Sequence, residues 1–258
     1  MDLGIAGRKA IVCASSRGLG RACAQALAAA GCEVVINGLD AARLEAAAAE
    51  LNKTGAKIIP VRADVATPAG QAALFAACPE PDILVNNNAG PPPRDFRELT
   101  RAQVLEGITA NMVVAIELMQ KAIGPMQARR FGRIVNITSG TVKLPQAGLD
   151  LSSAARGGLT IFLAGVARQV AASNVTINNL LPGAYETDRL KTVLGALAKR
   201  KGISYEEAKT ERIASIPAKR LGDLEGFGAA CAFLCSAQAG FITGQNLTID
   251  GGAFPGVF

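Results

Sequence analysis

Cys13-Ala14-Ser15-Ser16-Arg17-Gly18-Leu19-Gly20 is the stretch on which the fold turns. Before it, residues 9–13 are short and apolar and read as a strand; after it, the alanine-rich residues 21–30 read as a helix closed by Gly31. A tight turn that opens a helix presents free backbone N–H groups and the positive end of the helix dipole, and glycines let phosphates approach the backbone closely. A glycine-rich turn alone says little. One that follows the first strand and opens the first helix points to a dinucleotide, here held by Ala14, Ser15, Ser16, Arg17, Gly18, Leu19 and Gly20.

Working outward, the alternation continues. Residues 33–37, 57–61, 82–86, 133–138, 175–180 and 246–249 read as further strands. Between them, residues 41–51, 70–77, 101–126, 151–172 and 224–235 read as helices, and 186–216 is charged and helical in pattern. Continuous apolar strands alternating with helices predict an α/β fold, a single doubly wound parallel sheet of about seven strands with helices on both faces. No linker, repeat or low-complexity tract divides the chain, so residues 1–258 are expected to form one domain.

Composition narrows the chemistry. The 258 residues are 50% hydrophobic and 19% charged, which excludes a disordered chain, and 28 Gly and 12 Pro spread along it exclude a coiled coil. No run of about 18 uninterrupted apolar residues is present, so no membrane span is expected. Met1 to Gly4 shows no basic-then-apolar leader, and the expected location is the cytoplasm. The absence of His removes Ser-His-Asp triads, Cys-His nucleophiles and His-ligated metals together, and no metal site is expected. Six Cys, at 13, 23, 32, 78, 231 and 235, include no Cys-x-x-Cys pair and read as buried small hydrophobes in a reducing compartment. A net charge of +6 suits an anionic ligand, but with 4% aromatics and no block of like charges nucleic acid is not expected.

Six short motifs, in order and at matching intervals, resemble the short-chain dehydrogenase/reductase family over essentially the whole chain. The glycine turn keeps Gly18 and Gly20, although Cys13-Ala14 stand where the family has Thr-Gly. Asp64-Val65, Asn87-Asn88-Ala89-Gly90, Asn111, Ser139 and Pro182-Gly183 match the other motifs, and the tail Asp250-Gly251-Gly252 is similar as well. The resemblance implies a Rossmann-type sheet and a nicotinamide cofactor. It also implies adenine contacts at Asp64 and Val65, further cofactor contacts at Asn88, Ala89, Gly90, Pro182 and Gly183, and catalytic roles for Asn111 and Ser139. Relatives carry a mobile substrate lid where this chain has about 186–216. Their long helices, here 101–126 and 151–172, pair across a two-fold axis, so a homotetramer is implied.

The second strand ends in Asn37-Gly38-Leu39-Asp40, with Asn37 and Gly38 expected at the cofactor, and Gly38 stands where NAD-dependent enzymes of this architecture carry an acid for the ribose hydroxyls. Asp40 falls two residues late and reads as a helix cap. Arg17 stands where NADP-preferring relatives carry a cation for the 2′-phosphate, whose charge suits a guanidinium fork. The arginine common just after the second strand is missing, since Leu39 occupies that place. NADP(H) is favoured over NAD(H).

The family pattern breaks at its proton donor. Thirteen residues beyond Ser139 the catalytic Tyr-x-x-x-Lys is replaced by Ser152 and Arg156. A phenol can be tuned towards neutral pH, whereas an aliphatic hydroxyl is a far weaker acid. Arg156 keeps the charge and can hold the cofactor ribose, but it does not release a proton. Lys143, in the loop after the fifth strand, is an alternative donor or a solvated lysine. Tyr205 and Lys209 spell the missing motif literally but read as a helix surface; Tyr185 reads as a packing residue. Arg94 ends a stiff Pro91-Pro92-Pro93 rim suited to an anionic substrate, and Arg129 and Arg130 are candidates for meeting an acidic acyl carrier.

Two functions remain open. One is an NADP(H)-dependent oxidoreductase acting on a small carbonyl/alcohol pair or a 3-oxoacyl thioester, with Ser139 holding the carbonyl oxygen. The proton would then come from Ser152, Lys143 or a water near Asn111. The other is an NADP(H)-binding protein with little or no redox activity, a sensor or oligomer partner.

Overall fold

The structure, a computed structural model, describes residues 2–257. Its strands are β1 (Lys9–Val12), β2 (Glu33–Gly38), β3 (Ile58–Arg62), β4 (Ile83–Asn86), β5 (Gly132–Ile137), β6 (Val175–Pro182) and β7 (Asn246–Ile249). They form one parallel sheet in the order β3-β2-β1-β4-β5-β6-β7. The order reverses between β1 and β4, and in such sheets the crevice beyond the carboxyl ends at that point takes the ligand.

Successive side chains of the central strands enter opposite cores, which is why β1, β2 and β4 carry apolar runs. Ala10, Val12, Val34 and Ile36 pack with helices α1 (Gly18–Ala29), α2 (Ala41–Asn52) and α9 (Leu224–Cys235). Ile11, Cys13, Val35 and Ile134 pack on the other face, with α3 (Pro68–Ala77), α5 (Val114–Ala128) and α6 (Asp150–Val170). All six cysteines are buried and free, and burial pushes the Cys13 and Cys32 thiols up to about 12. Asp40 caps α2, accepting from Arg43 N at 3.0 Å, as its position predicts.

The stretch expected as one helix over 101–126 is divided. α4 (Arg101–Ile108) runs into a π-helical turn, Thr109–Val113, before α5 begins. Such a turn inserts one residue into the helix and re-aims a side chain, and the buried Asn111 lies within it. By length and composition alone the run Arg101–Ala128 could cross a membrane, with mean hydropathy 1.3. Its Val114, Leu118, Met119, Ala122 and Met126 lie in the core against the sheet, which accounts for one apolar face. The charged segment folds as α7 (Asp188–Lys201) and α8 (Tyr205–Ser215), packed on each other beside the carboxyl end of β6.

Candidate active site

The glycine turn is fastened from below. Asn37 Oδ1 accepts from Ala14 N at 2.7 Å and its Nδ2 donates to Ala63 O at 2.6 Å, while Ser15 Oγ donates to Val12 O at 2.6 Å. Asn37 and Ser15, expected at the cofactor, are buried, and their side chains hold the turn's shape. A Cβ on Gly20 would lie 2.5 Å from Ala14 O, so only glycine fits there. No side chain caps α1 at Arg17, which leaves the first-turn N–H groups free of side-chain acceptors. Free N–H groups at an uncapped helix N-terminus, beside glycines, fit a dinucleotide pyrophosphate.

At the ribose end no acid faces Gly38, whose Cβ would lie 2.8 Å from Ser16 Oγ. Arg17 is ion-paired with Asp188 at the start of α7. A second cation, missed in the sequence, stands nearby: Arg62 pairs in register with Gly38 and donates from Nε to Leu39 O at 3.1 Å. Nothing in the linear order links positions 38 and 62; the β2–β3 register does. Asp64 is exposed and accepts from Ala66 N at 2.9 Å, whereas the Val65 side chain enters the core.

The second half of the site gathers around Arg156 on α6. Its Nε donates to Ser152 Oγ, one turn earlier, at 3.2 Å. Nη1 donates to Ile137 O at 3.1 Å and Thr138 O at 3.3 Å, and Nη2 reaches Asn88 O at 3.4 Å. The guanidinium thus joins the carboxyl ends of β4 and β5 without any carboxylate partner among the described residues. Burial, and then the charge of Arg189, pull its pKa down to about 10, so it stays cationic at neutral pH. Asn111 Nδ2 donates to Ala89 O at 3.1 Å, and Asn88 Nδ2 to Ala110 O at 3.2 Å, tying the π turn to the Asn-Asn-Ala-Gly loop. Behind Arg156 lies a cavity of about 20 Å³ lined by Asn86, Asn88, Asn111 and Asn136, large enough for one water. The Oδ1 atoms of Asn86 and Asn111 are buried there without a partner. Ser139 Oγ accepts from Thr141 N at 3.1 Å and from Thr141 Oγ1 at 2.9 Å.

Gly183 is pressed against Asp250, where a Cβ would lie 2.7 Å away, and Pro182 O comes within 3.3 Å of a Cβ built on Gly140. The proline rim is tied down by Arg94 N donating to Gly148 O at 3.0 Å, and a smaller hollow beneath it, including Pro91, Pro92 and Ser152, continues the crevice.

Other candidates lie apart. The Lys143 ammonium stands 5.1 Å from the centre of the Phe254 ring and makes no hydrogen bond to Ser139, Ser152 or Arg156. Lys209 is paired with Glu186, and Tyr205 opens α8 behind a Ser204–Glu207 capping box. Tyr185 is buried edge-on against Phe227 and donates to Ile249 O at 3.2 Å; burial pushes its phenol up to about 12. Arg129 is bound to Glu80 and Asp82, and it precedes β5, at the amino edge of the sheet. Arg129 and Arg130, read as candidates for meeting an acidic acyl carrier, thus stand at the edge of the sheet opposite the crevice.

Residues 13–253 match the family described as enoyl-(acyl carrier protein) reductase. The chain is similar to the NADPH-dependent reductase BacG of Bacillus subtilis, 30% identical over 97% of this chain and 99% of that protein. It is similar also to the 3-oxoacyl-[acyl-carrier-protein] reductase FabG of Aquifex aeolicus, 32% identical over 98% of this chain and 100% of that one. Among solved structures, L-sorbose reductase from Gluconobacter frateurii complexed with NADPH and L-sorbose superposes with a TM-score of 0.92. It is 27% identical and covers 100% of both chains. With the seven-stranded order, the glycine cradle and matches of this extent, the chain belongs to the short-chain dehydrogenase/reductase family.

Proposed function

We propose that the protein is an NADP(H)-dependent oxidoreductase interconverting a carbonyl and an alcohol with an altered proton relay. NADPH-dependent relatives support the cofactor, as do a Gly38 without an acid and the cations Arg17 and Arg62 around it. The observation that carries the catalytic reading is the Arg156–Ser152 pair, with the guanidinium bridging Asn88, Ile137 and Thr138. When bound, the nicotinamide supplies the hydride. The chain's own residues do the rest. Ser139 Oγ and Ser152 Oγ each already accept N–H hydrogen bonds, which frees their O–H groups to donate to a substrate oxygen. Arg156 places a positive charge beside Ser152 and stabilises negative charge developing on that oxygen. The proton is drawn from water in the asparagine-lined cavity, where the unpartnered Oδ1 atoms of Asn86 and Asn111 can orient it. Residues 186–216 act as a lid, linked to the crevice rim by Arg189 Nη1 donating to Gly90 O at 3.4 Å.

The test is to follow NADPH oxidation against a panel of ketones and 3-oxoacyl thioesters, alongside NADPH binding by fluorescence. Turnover that falls in Ser139→Ala while NADPH affinity is kept supports the reading. Tight NADPH binding without turnover on any substrate leaves the sensor or oligomer-partner reading.

Two further outcomes are expected. Arg17→Ala and Arg62→Ala should each cut the preference for NADPH over NADH by about 10-fold or more, as loss of a charge-assisted contact implies. An unchanged ratio in both variants would remove the 2′-phosphate assignment. A homotetramer is also expected, as the family resemblance of the long helices implies; Leu105 on α4 and Ile161 and Phe162 on α6 are exposed apolar residues on them. Light scattering at micromolar concentration checks it, and a monomer mass would contradict it.

A further inference from the structure

Two guanidiniums meet at Gly90. A Cβ built on that residue would lie 3.3 Å from Arg156 Nη2, 3.2 Å from Arg189 Nη2 and 3.3 Å from Ser152 Oγ. Arg156 comes from α6 and Arg189 from the first turn of α7, so two separate elements deliver like charges to one spot. Neither has a carboxylate partner among the described residues; carbonyl oxygens and Ser152 Oγ are their only acceptors. Burial lowers the pKa of both groups, and Arg189 lowers that of Arg156 further.

The nearby acids are engaged elsewhere. Asp188 is paired with Arg17 and lies 4.0 Å from Lys191, Glu186 is paired with Lys209, and Asp150 accepts from Gly148 N. Further cations line the approach. Arg200 Nη1 lies 3.5 Å from Ala147 O, and Arg94 stands on the proline rim. Two adjacent, partly desolvated cations repel one another, and an anion between them relieves that repulsion. Planar forks from two directions match the two oxygens of a carboxylate.

We infer that the substrate is an oxo acid whose carboxylate is clamped by Arg156 and Arg189 beside Gly90, placing its carbonyl against Ser152 and Ser139. The inference rests on the oxidoreductase reading of this crevice and narrows it: a free acid is preferred to an ester, a thioester or a neutral ketone. Arg189 is then the residue that selects for the anion, and the lid brings it into place.

The experiment compares pyruvate and 3-oxobutanoate with their methyl esters in NADPH oxidation, using the full chain, Arg189→Gln and Arg189→Lys. Binding of oxamate, a pyruvate mimic that is not reduced, is measured calorimetrically on the NADPH complex. The acids should exceed their esters in kcat/KM by about 10–100-fold, the range expected for a hydrogen-bonded charge pair. Arg189→Gln should bring that ratio close to one and abolish oxamate binding, with NADPH affinity kept; Arg189→Lys should retain part of the preference. Esters reduced as well as acids in the starting protein would overturn the inference while leaving the oxidoreductase reading intact. Arg189→Gln weakening NADPH about 10-fold would overturn it too, because the anion would then be the cofactor's own phosphate. Preference for phosphate esters over the oxo acids would likewise overturn the carboxylate assignment. If nothing is reduced but oxamate binds through Arg189, the anion site stands and the oxidoreductase reading falls. If oxamate does not bind either, both fall.

Discussion

Ser152→Tyr combined with Arg156→Lys is expected to raise carbonyl reduction by about 10²–10⁴-fold, the usual contribution of a positioned general acid. The starting protein has two hydroxyls and a guanidinium at this point, all able to hold an oxyanion and none a competent acid near neutral pH. A tyrosine would supply the acid, and a lysine one turn later on α6 would supply the charge that tunes it. Both changes are needed for reasons of space. Arg156 Nη2 and Ser152 Oγ both lie within 3.3 Å of a Cβ built on Gly90, so a phenol ring added to an intact arginine would be crowded. Lysine is shorter and unforked, and it vacates that place. The gain should appear in kcat, with NADPH affinity changing little. A double variant that folds, binds NADPH and shows no gain would mean the crevice does not present a carbonyl to the nicotinamide.

Arg133→Leu should lower stability by about 3–5 kcal/mol, because it strips donors from several buried acceptors at once. Arg133 is 1% exposed, an extreme for this residue type. Its guanidinium donates to Ser236 O, Gly132 O and Asn174 O, each at 2.9 Å, and stacks 4.4 Å from the centre of the Phe131 ring. It therefore joins β5, the end of α9 and the loop before β6 at the edge of the sheet opposite the crevice. For a domain of this size the loss corresponds to a fall in Tm on the order of 10 °C. Urea denaturation would read it as a lower midpoint with an unchanged slope. Because Arg133 is remote from the crevice, NADPH affinity of the folded variant should be unaffected. A stability loss under about 1 kcal/mol would show that the acceptors find water instead.

The strands were legible because each enters two cores. β1 and β4 carry unbroken apolar runs, Ala10–Val12 and Ile83–Val85, and that pattern is read without knowledge of partners. The glycine turn was legible because a close backbone approach admits one residue type, as Gly20 against Ala14 O shows. The π turn at Asn111 was not, since hydrophobic periodicity passes smoothly through residues 101–126 and one inserted residue barely disturbs it. The tie made by Asn37 was not legible either, because which backbone groups need a partner depends on how β2, β3 and the turn come together.

By itself, then, the sequence determined the doubly wound sheet, the cofactor cradle and the replacement of tyrosine and lysine by Ser152 and Arg156, all of them local in pattern or spacing. Only the tertiary structure decided which charges meet. Arg62 reaches Leu39 through the β2–β3 register, Arg129 is committed to Glu80 at the far edge, and Arg156 and Arg189 converge on Gly90 from two helices. Side-chain charge acts over a few ångströms, and residues far apart in the chain come within that distance only when the fold closes.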